Sequence, residues 1–314
     1  MGIRGLAGFL KWKLPQSRRN LSWASWSGKT WAIDISCILY RARSAELEPI
    51  TVVAYLLSRM RAFGITPIVV FDGKPPNIKS NILDQRRDQR EAANKEVLAL
   101  EHILDVSADM SHMDKALTEK RISDLNSKNP VITGSDKDLI KQLLYGAGVL
   151  FISASGEADD ILGLLARTNR VQAVVSTDTD MLARGVSTLL YPEVPDMSVL
   201  TEIHTEKILT LLDLTYEQFI DACVLMGTDY TGNKFKTRPP AEAVASVKRG
   251  DPVLEHDRSI IEIAKASLMG TDKTLEQLLN PYQLAKFLQG APTREPDTLT
   301  TMSLEYGWPA DWSL

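Results

Sequence analysis

The chain has 314 residues, 44% hydrophobic and 24% charged, with a formal net charge of -4, enough for one sizeable α/β core with an appendage and too little for several independent enzymes. No apolar stretch reaches the roughly 18 residues of a membrane span and no signal sequence opens the chain, so an intracellular protein with no membrane partner is expected. Two cysteines in apolar runs, Cys37 and Cys223, and four histidines without ligand spacing argue against a disulfide or a zinc site and leave oxygen ligands for a hard cation such as Mg²⁺ or Mn²⁺.

In chain order, residues 31–36 read as a strand carrying Asp34, and 49–63, with apolar residues at helical spacing, as a helix. Residues 67–71 read as a strand followed by Asp72. Residues 82–104, rich in Arg, Gln, Glu and Ala, read as a helix, and the charged segment 74–135 has no strand pattern. It is expected to rise over the carboxyl edge of the sheet as a helical cap. Residues 136–145 re-enter the core as a helix. A strand at 149–153 precedes Glu157 and Asp159, a helix starts at 161–166, and a strand at 171–176 leads into Asp178 and Asp180. Asp229 ends the apolar, helix-like run 219–227. Short helices follow at 241–247, 259–268 and 275–288, and 293–314 reads as a docked, polar tail with Trp308 and Trp312.

Strand, helix, strand repetition predicts an α/β fold: a mostly parallel central sheet flanked by helices, with a helical arch over the site. It divides into an N-terminal region at 1–105 that includes the start of the cap, the rest of the cap at 106–135, an internal region at 136–230, and a helical region with tail at 231–314. Gly28-Lys29-Thr30 is expected to be a turn, because Trp23 stands where a phosphate loop has its first glycine and the triplet precedes a strand. GxGxxG, GxSxG and HExxH motifs are missing, which removes support for dinucleotide redox, serine hydrolase and zinc protease chemistry.

An acid at the end of a buried strand is costly to desolvate unless something positive neutralises it. In an open parallel sheet, side chains at the carboxyl ends of neighbouring strands converge on one crevice. Asp34, Asp72, Glu157, Asp159, Asp178 and Asp180, with Asp229, therefore read as a divalent-metal site. Singly, each has an ordinary explanation as a cap or turn residue; the ordered set does not. Residues 1–62 hold ten basic residues against three acids, a local charge of +7. With two divalent ions bound the net charge rises from -4 to zero, and the basic surface is left to face a phosphate backbone.

The segments MGIRGLAGFL, WAIDISCILY, VVFDGKPPNIKS, SGEADDILGLLA, STDTDML and FIDACVLMGTDY stand in the order found in one family. Together they resemble the flap endonuclease family of structure-specific 5′ nucleases, over roughly residues 1–230. The resemblance implies that Asp34, Asp72, Glu157 and Asp159 surround one Mg²⁺ and Asp159, Asp178, Asp180 and Asp229 a second, some through water, with Mn²⁺ able to substitute. Two such cations about 4 Å apart stabilise both ends of an in-line displacement and activate the water. Lys79 and Arg86, two turns apart on one helix face, match family positions that point at the scissile phosphate. They carry the catalysis with Asp34, Asp178 and Asp180. Tyr40 matches an aromatic on which a base stacks. The amine of Gly2, once Met1 is removed, and the basic Arg41 and Arg43 are further expected DNA contacts. Gly232, Lys234, Lys236 and Arg238, with the helix from Ala241, keep the outline of a duplex-binding helix-two-turn-helix with a potassium ion near 230–240.

Three features depart from the family pattern. Asp159 stands where the family has Glu, Thr237-Arg238-Pro239-Pro240 replaces a Gly-Ile-Gly-Pro turn, and neither a sliding-clamp motif nor a lysine-rich tail is found. The expected protein is a compact, viral-type monomer acting in replication or repair on DNA with a 5′ flap or junction, in the nucleus or at a site of viral DNA replication. The alternatives are a relative acting on bubbles, nicks or four-way junctions, a 5′ to 3′ exonuclease, and a DNA-binding scaffold without turnover.

Overall fold

A computed structural model describes residues 2–74, 80–107, 110–193, 199–232, 235–251, 255–269 and 274–308. Among these, seven strands form one sheet: β1 (Arg18–Asn20), β2 (Thr30–Asp34), β3 (Thr66–Phe71), β4 (Leu150–Ser153), β5 (Ala173–Val175), β6 (Thr188–Pro192) and β7 (Leu200–His204). Their spatial order is β1-β7-β6-β5-β2-β3-β4. The five strands from β6 to β4 are parallel, while β7 and β1 add an antiparallel edge. The chain moves outward from β2 through β3 to β4 and then returns to the other side of β2 at β5. The carboxyl ends of β2 and β5 therefore flank a topological switch point, the usual crevice of such sheets.

Both faces of the sheet are covered, which is why its strands read as nearly continuous apolar runs. Ala32, Ile68, Val70, Ile152 and Val174 point to one core; Trp31, Ile33, Val69, Phe71 and Val175 point to the other. The helices in chain order are α1 (Leu6–Lys13), α2 (Ile35–Ser44), α3 (Pro49–Ala62), α4 (Ser80–Val106), α5 (His112–Lys128), α6 (Gly134–Gly146), α7 (Ala158–Arg167), α8 (Asp180–Ala183), α9 (Thr205–Leu212), α10 (Tyr216–Met226), α11 (Pro240–Arg249), α12 (Glu255–Met269), α13 (Leu275–Leu278), α14 (Pro281–Gln289) and α15 (Pro296–Tyr306). Helices α2, α3, α6 and α15 fill one face, and α1 with α7 to α14 the other. No helix of the described residues is long and apolar enough to cross a membrane.

Several boundaries differ from the sequence expectation. Strand β2 stops at Asp34, whose carboxylate accepts the Cys37 N–H at 3.2 Å and caps α2, so Ile35 and Ser36 are helical. The 275–288 helix is broken in two because Asn280 accepts the Gln283 N–H at 2.9 Å and Pro281 opens a new helix. Strand β6, parallel to β5, and the antiparallel β7 and β1 went unpredicted. The tail forms α15 against α6 and buries Trp308; Trp312 lies outside the described residues. Cys37 and Cys223 are buried and free. The cap segment is helical as expected: α4 and α5 pack on each other around Ala93, Val97 and Leu125, and α5 also packs on α2.

Candidate active site

The strand ends bring acids from distant parts of the sequence to one edge. Asp34, 7% exposed, closes β2. From β5 across the switch point, the Ser176 hydroxyl donates to Asp34 Oδ2 at 2.8 Å and accepts the Asp178 N–H at 3.0 Å. Asp178 Oδ1 in turn accepts the Asp180 N–H at 2.9 Å, so Asp34, Asp178 and Asp180 lie along one run of hydrogen bonds. Asp72, just past β3, accepts the Ala158 N–H at 3.0 Å and thereby closes the amino end of α7, whose own N-cap residue, Glu157, makes no side-chain cap. The loops after β3 and β4 are strapped together by the Gly73 N–H on the Gly156 carbonyl at 2.7 Å. A Cβ on Gly73 would collide with the Ala154 carbonyl oxygen, so only glycine permits that approach.

A second set hangs from the β4 end. The Tyr230 hydroxyl donates to Glu157 Oε2 at 3.0 Å, and the buried Arg184 guanidinium donates to that hydroxyl at 2.7 Å and to Asp160 Oδ1 at 2.6 Å. Asp159 Oδ2 lies 3.9 Å from the same guanidinium. Burial alone would make Arg184 easier to deprotonate, but Asp159, Tyr230, Asp160 and Asp180 outweigh it and hold the proton more firmly. Asp229 follows α10, next to Tyr230. Sequence reasoning passed over Ser176, Arg184 and Tyr230 as site residues. Arg184 did leave a signal: a charge inside the otherwise apolar run 181–186.

The amino terminus is sewn into the same edge. The Ile3 N–H donates to Thr179 Oγ1 at 3.1 Å and the Arg4 N–H to the Gly227 carbonyl at 2.9 Å. Gly2, at φ 97°, lies so close to Asp178 that a Cβ would collide with Asp178 Oδ1. Tyr40 is half-buried on α2, with the Arg90 guanidinium of the cap 5.3 Å from its ring centroid. Arg41 stands 5.9 Å from the Tyr191 ring. Arg43 is engaged within the protein, donating to Glu48 and Asp136 at 2.9 Å each and tying α2 to α6. Gly232 and Lys236 are exposed, and Arg238 contacts Ser246 and lies 4.0 Å from Asp251. Lys79 and Lys234 fall outside the described residues, as does the Arg86 side chain, whose backbone belongs to α4.

The donor set fits a hard divalent cation. Burial, and then the neighbouring Asp72, push the Asp34 carboxyl up to about 7, against the bonds from Ser176 and Cys37 that favour its charge; Asp178 adds to the rise. Crowded oxygen anions that suppress one another's charge are the environment a Mg²⁺ or Mn²⁺ ion relieves. Among the described residues, no three acids, histidines or cysteines already converge as a ligand group. The acids are instead held by protein donors: Asp34 by Ser176 and Cys37, Asp72 by Ala158, Glu157 by Tyr230, Asp178 by Asp180.

The chain matches the XPG N-terminal domain over residues 1–93 and the XPG I-region over residues 148–229, together more than half its length. It belongs to the flap endonuclease family. The first match contains Asp34 and Asp72, the second the other five acids, and most of the cap lies between them. The chain is 32% identical over 250 residues to Flap endonuclease 1 of Theileria parva, covering 73% of this chain and 47% of that protein. It is 27% identical over 328 residues to Flap endonuclease 1 of Homo sapiens, covering 98% and 78%. The chain thus spans about half the length of the Theileria relatives. In fold it is similar to the catalytic core of Rad2 in complex with DNA substrate, with a TM-score of 0.64, 17% identity, and 99% and 98% of the two chains covered.

Proposed function

We propose that the chain is a Mg²⁺-dependent DNA endonuclease that hydrolyses a phosphodiester at the junction of a 5′ single strand with duplex, in replication or repair. What supports this reading is that family-matched acids follow the ends of β2, β3, β4 and β5 along one edge of the sheet, with Asp72 and Asp178 near enough to Asp34 to raise its pKa. Asp34, Asp72, Glu157 and Asp159 would hold one ion and Asp159, Asp178, Asp180 and Asp229 the other, with Mn²⁺ as a substitute. Bound there, two such ions would supply polarisation of the phosphodiester and activation of the attacking water. Ser176 keeps Asp34 and Asp178 in register across the crevice, and Asp72 locks the β3 loop to α7. Lys79 and Arg86 neutralise charge on the scissile phosphate. Tyr40, backed by Arg90, offers a ring face to the base beside the cut. Gly2 and Arg41 form the near DNA surface, while Arg43, expected there from the sequence, is held by Glu48 and Asp136. Gly232, Lys234, Lys236 and Arg238 meet the duplex backbone, with a potassium ion near 230–240. The protein works as a monomer, in the nucleus or at a site of viral DNA replication.

The test is cleavage of end-labelled flap, nick, bubble and four-way-junction DNAs with Mg²⁺ or EDTA. Cleavage one or a few nucleotides from the flap junction is expected, with none in EDTA. Asp178→Ala should abolish cutting and leave DNA affinity within a few-fold, because the acid contacts metal and not phosphate. Full activity in that variant refutes the site, and preferential cutting of bubbles or four-way junctions replaces the flap substrate with the related one.

A further inference from the structure

Arg184 is 1% exposed, yet it lies among the acids of the candidate site and matches no role in the catalytic scheme above. Its surroundings are built for it. The backbone is fixed by the Arg167 guanidinium on the Arg184 carbonyl at 2.7 Å and the Tyr216 hydroxyl on the Ala183 carbonyl at 2.7 Å. Space for its side chain comes from Gly163 of α7, where an added Cβ would lie 3.2 Å from Arg184 Cβ. The guanidinium then forks: Nη1 donates to Asp160 at 2.6 Å and Nη2 to the Tyr230 hydroxyl at 2.7 Å.

The direction of these bonds matters. A guanidinium donates and never accepts, so the Tyr230 oxygen receives from Arg184 and must aim its own hydrogen elsewhere. That hydrogen goes to Glu157 Oε2 at 3.0 Å. Asp160 supplies the counter-charge at 2.6 Å and holds the guanidinium there, while Asp159 stands back at 3.9 Å. Asp159 and Asp160 lie in the first turn of α7, and Glu157 is its N-cap, so one buried cation holds Asp160 directly and Glu157 through Tyr230, with Asp159 within ion-pair range.

We propose that Arg184 is a positioning residue for the metal-binding acids: it fixes Glu157 through Tyr230 and steadies Asp159 and Asp160, with Asp160 balancing its charge. The inference rests on the reading that these acids bind divalent metal. Supporting groups of this kind, which orient ligands without touching the ion, typically change metal affinity by 10- to 100-fold when removed.

The experiment is Mn²⁺ titration of the DNA-free protein, followed by electron paramagnetic resonance and calorimetry, with folding checked by circular dichroism. Arg184→Lys keeps the charge but lacks the fork that spans Asp160 and Tyr230. Tyr230→Phe keeps the ring and loses the hydroxyl. Each should weaken Mn²⁺ binding by on the order of 10-fold, and Arg184→Met by more, while DNA affinity in EDTA stays within about twofold. Should Arg184→Met fail to fold, the Lys and Tyr230→Phe variants decide. Wild-type Mn²⁺ affinity in both, even with a lowered melting temperature, reduces Arg184 to a packing residue and overturns the inference. A wild-type protein with no saturable Mn²⁺ binding removes the metal reading itself.

Discussion

Replacing Asp34 by Asn should make the metal-free protein more stable while destroying its activity. The carboxyl is buried, and its pKa is pushed from an ordinary 3.8 to about 7 by burial and by Asp72. A raised pKa means that the folded state disfavours the charged form. Asp34 therefore costs nothing well below pH 3.8, and stability is lost as the pH rises from there to about 7, above which the loss levels off. At 1.36 kcal/mol per pH unit, the full rise is worth about 4 kcal/mol at pH 8; small shifts of Asp72 and Asp178 away from the charge bring the expected gain to roughly 2–4 kcal/mol. Asparagine keeps the local bonding: its carbonyl accepts the Cys37 N–H and its amide donates to Ser176 Oγ in place of the present bonds. The assay is urea unfolding of both proteins in EDTA at pH 5 and pH 8, repeated with Mg²⁺. In EDTA the variant should show its full gain at pH 8 and less than half of it at pH 5; Mg²⁺ should stabilise the wild type more than the variant. A variant less stable than wild type at pH 8 in EDTA refutes the reasoning, because it means the Asp34 charge is already balanced by the protein.

Gly2→Ala forces a Cβ against Asp178 Oδ1 at a φ of 97°, so the amino terminus should lift from Thr179, lowering cleavage by on the order of 10-fold or more with a stability change under about 2 kcal/mol; unchanged cleavage means the terminus can shift without disturbing Asp178. Glu202 of β7 is buried and accepts Trp26 Nε1 at 2.8 Å, Arg19 Nε at 2.5 Å and His204 Nε2 at 3.1 Å. Burial would raise its pKa, but the Trp26 and Arg19 bonds prevail and hold it below 4.5. Its contribution is therefore present above that value and lost as pH falls through the lower folded one, so Glu202→Gln should cost about 2–4 kcal/mol at pH 7 in chemical denaturation, with the gap closing in acid. Lys79→Ala and Arg86→Ala should each slow single-turnover cleavage by on the order of 10² to 10³ with binding nearly unchanged; weakened binding at an unchanged rate moves that role to Arg87, Arg90 or Lys95.

Much of the candidate site's placement was legible in sequence because strand ends are marked locally. Val-rich and Ile-rich runs ending in acids mark buried parallel strands, and a buried parallel strand has its carboxyl end in the crevice, so Asp34, Asp72, Glu157 and Asp178 could be assigned to one edge without coordinates. The helical cap was equally plain, since residues 82–104 combine strong helix formers with no alternating pattern. What needed the fold were the relations between segments. The antiparallel edge strands β1 and β7 read RRN and LTEIH, with charged residues where the parallel strands are apolar, so neither gives the apolar run that marks a buried strand. The Arg184 fork joins α8, α7 and Tyr230, three segments whose separation in sequence conceals the contact. The charge of the first 62 residues suggested an open basic surface, but Arg18, Arg19 and Arg43 are paired with Glu193, Glu202, Glu48 and Asp136, which only tertiary packing decides. Composition and order specify which groups a chain carries and which backbone ends they occupy; whether a charge meets solvent, a ligand or another side chain is set by the elements folded against it.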